Sequence, residues 1–160
     1  MSNLKRRECG DCNLCCKLPS INFMKPHKPS YQWCKHCDIG VGCKIYKTRP
    51  QKCKDFLCLY LGGLTNLKPN HCGFFIYQEE SQQAAKNKVL AVMCEEHVLD
   101  KLVDAILNDP DGKRLVDQGW TFHIRYNDNE NDVAIFDFKV LGKELKKIKW
   151  DVATKQEATV

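Results

Sequence analysis

Nine of the eleven cysteines lie within the first 58 residues, at Cys9, Cys12, Cys15, Cys16, Cys34, Cys37, Cys43, Cys53 and Cys58. Thiols at that density in one part of a chain either cross-link it or hold metal. The chain opens Met-Ser-Asn-Leu-Lys-Arg-Arg-Glu-Cys, which is charged and lacks the apolar stretch of a secretory signal. The expectation is therefore a cytoplasmic protein in a reducing compartment, where thiols stay reduced unless metal takes them. Metal ligation is favoured over disulfides, and the odd count of cysteines agrees.

The spacing carries the chemistry. Cys9-Gly-Asp-Cys12-Asn-Leu-Cys15 leaves two residues between sulfurs, so a tight turn can aim neighbouring thiolates at one ion while the intervening N–H groups support them. Cys15 and Cys16 are adjacent, so their side chains are expected to diverge rather than chelate one ion together, with one of them bridging or serving a neighbouring ion. The gaps partly match those of bacterial ferredoxins, in which a fourth cysteine follows three residues later and precedes proline. Trp33-Cys34-Lys-His-Cys37 resembles a thioredoxin-type motif, but that chemistry needs a preceding strand and a following helix, and both flanks read as loop. Nine cysteines allow two four-cysteine zinc sites, a two-ion cluster with shared thiolates, or an iron–sulfur cluster plus zinc. Zinc is the first choice for a closed thiolate site without redox demand, with iron or an iron–sulfur cluster as the alternative.

Residues 1–60 carry twelve Lys and Arg against four Asp and Glu, a net +8, whereas residues 61–160 carry thirteen against sixteen, a net −3. A basic half is a nucleic-acid signature in outline. However, eight thiolates around two Zn²⁺ would leave about −4 for nearby cations to offset. The basic residues are not interleaved with aromatic platforms, which counts against nucleic acid. No run of eighteen apolar residues is present, so no transmembrane helix is expected. An unidentified protein partner is compatible with the pattern.

The secondary-structure signals predict an α+β fold. An irregular cysteine-rich metal-binding lobe (1–63) would precede a small antiparallel sheet with a covering helix (64–150), forming one compact unit with it, and residues 151–160 would be a flexible tail. Residues 17–33 read as loop; Pro19, Pro26, Pro29 and Pro50 all fall in the first lobe. Thr48 and Pro50 predict a helix start, with Cys53, Phe56, Leu57, Tyr60 and Leu61 on its stripe and Gly62-Gly63 ending it. Strands are expected at 72–77, 88–94, 120–126 and 132–140, with loops at 64–70 and 78–87. A helix is expected over Val98–Leu107 and a shorter one over Lys113–Gln118.

The order of cysteines, with Gly42-Cys43-Lys-Ile45-Tyr46-Lys-Thr-Arg49-Pro50-Gln-Lys-Cys53-Lys-Asp-Phe56-Leu-Cys58 as its last motif, resembles the YkgJ-type cysteine-cluster proteins. The resemblance covers residues 9–61 and implies a zinc- or iron-chelating domain in a mostly bacterial family. That family often has Gly directly after its second cysteine, where this chain has Asn13. A similar cluster accompanies flagellin lysine N-methylases, but this chain is too short for such an enzyme and has no Gly-rich nucleotide fingerprint.

Other residues read more plainly. Arg49 is placed to pair with Asp55, to donate to a thiolate, or to remain solvated. Tyr46 and Phe56 suit a small lobe core. His36 would compete sterically with its neighbouring cysteines, His71 suits the surface, and Cys72 and Cys94 suit buried free thiols on strands. Glu95 and Glu96 fit first-turn charges, and Asp128, Glu130 and Asp132 fit a hairpin tip rather than a calcium loop. No serine–histidine elbow or phosphate loop appears. The chain reads as a metal-binding protein rather than an enzyme, with the ions folding residues 9–61. An iron–sulfur redox or accessory role and a nucleic-acid-binding zinc protein are the alternatives.

Overall fold

The computed structural model describes residues 7–22, 27–79, 81–154 and 156–158. The first six residues, residues 23–26 with Pro26 among them, residue 80, and residues 155 and 159–160 of the tail lie outside the described residues. In chain order the elements begin with a two-stranded hairpin, β1 (Cys37–Asp38) and β2 (Gly42–Cys43), and the short helix α1 (Gln51–Asp55). Next come α2 (Pro69–Cys72), β3 (Phe74–Tyr77), α3 (Gln82–Lys86) and β4 (Val89–Cys94). The helices α4 (Leu99–Asn108) and α5 (Pro110–Asp117) lead to β5 (Thr121–Arg125) and β6 (Asp132–Phe136). The chain closes with α6 (Phe138–Leu141), β7 (Lys146–Asp151) and β8 (Gln156–Glu157).

Strands β3 to β8 lie side by side in sequence order. The architecture is α+β as expected, but the sheet is mixed. β4 and β5 run parallel, with Val92 opposite Ile124, while the other neighbours are antiparallel. A parallel pair needs a crossover, and α4 with α5 supplies it. Alternation along the strands sorts the side chains into two layers. Phe74, Ile76, Leu90, Val92, Phe122 and Ile124 meet Leu102 and Ile106 of α4 and Val116 of α5 in the main core. Phe75 and Met93 point the other way and meet Leu18, Cys58 and Leu61 of the cysteine lobe. β3 and β4 are thus buried on both faces, which is why they read as unbroken apolar runs. Each large side chain enclosed this way contributes about 1.5–3 kcal/mol.

Several boundaries differ from the sequence expectation, each for a physical reason. The helix predicted from Thr48 to Leu61 stops at Asp55. Phe56 turns extended (φ −61°, ψ 126°), Leu59 N–H donates to Ile76 O at 2.8 Å, and Cys58 bridges to Tyr77. Pairing with the edge of β3 replaces the helical bonds. The segment expected as a connector contains α2, which starts on Pro69 and ends at Gly73. Cys72 therefore lies on a helix rather than a strand. The polar stretch 78–87 contains α3, capped by the Ser81 hydroxyl, which accepts from Ala84 N–H. The strand expected over 132–140 ends at Phe136, because the Asp137 carboxylate accepts from Lys139 and Val140 N–H and starts α6. The lysine-rich stretch beyond it forms β7, with Val133 opposite Ile148. Its exposed lysines suit a strand near the sheet edge. A flexible tail is predicted from residue 151, yet Gln156 and Glu157 pair back onto Asp151 and Trp150. Among the described residues no helix is long and apolar enough to cross a membrane.

Candidate metal centre

The cysteine lobe has little regular structure, so polar ties set its shape. The first group turns at Cys9–Cys12, where Cys12 N–H donates to Cys9 O at 2.9 Å. The second group is fastened to the first by Cys34 N–H donating to Cys16 O at 2.8 Å. Asn13 is buried, and its Nδ2 donates to Asp38 O at 3.4 Å. Its φ of −134° shows that this position does not need the glycine seen in the resembling family. Gly42 does need to be glycine: at φ +142° a Cβ would lie 2.9 Å from Gly10 O, so the two cysteine groups approach backbone to backbone there. The lobe is also anchored to the rest of the chain. Tyr31 OH donates to Cys94 O at 2.9 Å, Lys17 pairs with Glu95, and Lys68 pairs with Asp11 at 2.7 Å. Phe56 packs edge-on against Phe75 at 5.7 Å between ring centres, so it joins lobe to sheet rather than forming a separate small core.

These ties gather the sulfurs around two adjoining cavities. The larger, 180 Å³, is lined by Cys9, Cys12 and Cys15 together with Cys16, Cys34, Cys43 and Cys53. The smaller, 20 Å³, is lined by Cys9, Cys12, Cys15 and Cys58. Cys37 lines neither, but its thiol is hydrogen-bonded with Cys16. All nine cysteines of the sequence pattern are thus brought into one region. No disulfide joins any of the eleven cysteines. Among the described residues no group of three or more His, Cys, Asp or Glu side chains lies close enough together to hold an ion. Of the other two cysteines, Cys94 is fully buried in the main core, and Cys72 donates its thiol to Phe74 O at 3.1 Å. His36 lines the larger cavity, and His71 lies on α2.

The electrostatics follow from burial. Desolvation pushes the thiols of Cys9, Cys12, Cys43, Cys53 and Cys58 upward and that of Cys37 up to about 12. Cys15 lies well above its ordinary value, first because it shares a hydrogen bond with Cys16 and then because it is buried. Cys16 receives that bond and is drawn down to about 7. With its protons in place the cluster is mostly neutral.

Two cations sit among these sulfurs. Lys28 is only 6% exposed, and its ammonium donates to the carbonyls of Lys17 (2.9 Å), Pro29 (2.8 Å) and Gln32 (2.6 Å). It interacts electrostatically with Cys34, Cys16 and Cys15. Arg49 stacks over the Tyr46 ring at 3.8 Å and donates to Tyr46 O, with Cys9, Cys43 and Cys53 within its field. The pairing of Arg49 with Asp55 does not form; Asp55 accepts from Gln51 instead. Trp33 is partly exposed, with the Lys17 ammonium 5.4 Å from its ring centre. No helix follows Cys37, since β1 and its turn do, so the thioredoxin-type context is missing. Sequence reading did not single out Lys28, because a lysine between prolines in a loop looks solvated. Only its three carbonyl partners show what it does.

By element type the donor set is the thiol-rich kind that thiophilic cations take, while among the described residues no three of its groups stand close enough to hold one. It offers many reduced thiols converging on shared space, with buried positive charge at hand to offset thiolates. Comparison with models of protein families, with curated proteins and with solved structures found no match.

Proposed function

We propose that this chain is a metal-chelating cysteine-cluster protein of the YkgJ type, not itself an enzyme. Zinc is the first choice of ion and iron the alternative, with the metal acting mainly as a structural cross-link. The observation that carries this reading is the convergence of eight reduced cysteines on two adjoining cavities, with Cys37 hydrogen-bonded to one of them, Cys16. The buried Lys28 ammonium beside them supports it, because a lone buried cation is costly without negative charge nearby. The ligands would be Cys9, Cys12, Cys15, Cys16, Cys34, Cys37, Cys43, Cys53 and Cys58. A bound ion supplies bonds between segments that have few apolar contacts of their own. The sulfurs stand farther apart than ligands of one ion do, so binding should displace thiol protons and close the lobe.

Part of the +8 charge is engaged inside the fold. Lys28 is buried, Arg49 lies on Tyr46, and Arg7 donates to Thr65 O at 2.7 Å. That weakens the case for a nucleic-acid surface. Elemental analysis of protein purified anaerobically without added metal, followed by chelation, tests the reading. The expected result is bound zinc whose removal exposes residues 9–61 to protease. A metal-free preparation with the same protection would refute it, and a brown sample absorbing in the visible would assign iron–sulfur chemistry instead.

A further inference from the structure

The two cavities do not share their cysteines evenly. Cys16, Cys34, Cys43 and Cys53 line only the larger one, and Cys58 lines only the smaller. Cys9, Cys12 and Cys15 form the wall between them. A tetrahedral thiolate site needs four sulfurs. The larger cavity has four of its own, with Cys37 hydrogen-bonded to Cys16 as a fifth. The smaller reaches four only by taking all three residues of the shared wall. Contrary to the divergence expected of adjacent side chains, Cys15 and Cys16 share a hydrogen bond and both line the larger cavity; what separates them is that Cys15 alone also lines the smaller one.

The surroundings differ as well. The small cavity is walled on one side by the buried Pro69 and Phe75, which do not line the large one, and its volume of 20 Å³ suits a single atom-sized occupant. The large one is bordered by Arg49, Pro50 and the exposed Lys52. The small cavity also joins distant parts of the chain. Cys58 is bridged to Tyr77 of β3, so an ion there would clasp the start of the lobe to the sheet.

The geometry points to two ions of unequal exchange rate: a buried one held by Cys9, Cys12, Cys15 and Cys58, and an exchangeable one held by four of Cys16, Cys34, Cys37, Cys43 and Cys53. This division rests on the metal-binding reading above. The apolar wall slows access to the first ion, because the shell around a site governs the entry of solvent and competing ligands.

The experiment loads the full chain with zinc and follows transfer to a chromogenic chelator, with native mass spectrometry for ion count and timed alkylation for each cysteine. The expected result is two zinc ions per chain, one leaving at least about tenfold more slowly than the other. Alkylation should reach Cys16, Cys43 and Cys53 before Cys9, Cys12, Cys15 and Cys58. The double variant Cys43→Ser/Cys53→Ser, which leaves only three of the five outer cysteines, should keep one ion with the slow rate. Cys58→Ser lies against the sheet and can fail to fold, so Cys43→Ser/Cys53→Ser and the labelling order in the unaltered chain carry the test. Two ions leaving together with all nine cysteines labelled at once, a single ion per chain, or loss of both ions in Cys43→Ser/Cys53→Ser would overturn the division while leaving metal binding intact. A chain that takes up no zinc would overturn the metal reading and the division together.

Discussion

Replacing Lys28 by methionine tests whether a buried cation holds the cysteine lobe in shape. The ammonium joins Lys17 O, Pro29 O and Gln32 O at 2.6–2.9 Å, so it pins both ends of the loop between the two cysteine groups. Met matches the length of the side chain but offers no donor, and three carbonyls are left facing one another. Hydrogen bonds to a charged group are worth about 1.5–3 kcal/mol each. Against them stands the desolvation cost of burying an ammonium, several kcal/mol, which the substitution removes. The net loss should be about 3 kcal/mol. Urea unfolding at fixed zinc, followed by tryptophan fluorescence with Trp33 in the affected lobe, reads this as a midpoint lowered by roughly 1–2 M. Lys28→Arg should not rescue it, because a planar fork cannot aim three donors at three converging carbonyls as an ammonium does. A Lys28→Met protein within about 0.5 kcal/mol of the original would refute the reasoning.

Two further outcomes are expected in the sheet lobe. Burial holds His123 below its ordinary value of 6.5, with the Trp150 ring edge-on at 5.2 Å. As pH falls through about 6.5 the unfolded chain takes the proton first, so stability is full above that value and declines on acidification. Melting temperature measured from about pH 7.5 to about pH 5 should fall more steeply for the original chain than for His123→Gln, and equal slopes would contradict this. Gly112 meets the end of α4 so closely that a Cβ would lie 2.3 Å from Ile106 O. Gly112→Ala must therefore push α5 away from α4, at a cost of about 2–3 kcal/mol. A scanning-calorimetry melting point lowered by less than about 2 °C would argue against that close approach.

The sequence by itself determined the α+β composition, the strands at β3, β4 and β5, the amphipathic α4, and the concentration of thiols in the first 58 residues. These are local properties, because apolar periodicity and cysteine spacing can be read from neighbours along the chain. Where a segment's partner was distant, the sequence stopped short. The Cys53–Leu61 stripe has helical spacing, yet the edge of β3 supplied better hydrogen bonds and straightened it. The lysines of β7 hid a strand whose apolar half is little more than Ile148 and Trp150. The parallel β4–β5 contact has no signature within either strand. In the cluster, spacing named the nine cysteines but not their grouping. The approach of Gly42 to Gly10, the Cys58 bridge to Tyr77, and Lys28 on its three carbonyls decide which sulfurs face which cavity. Those contacts join residues far apart in the chain, so only the folded backbone could set them.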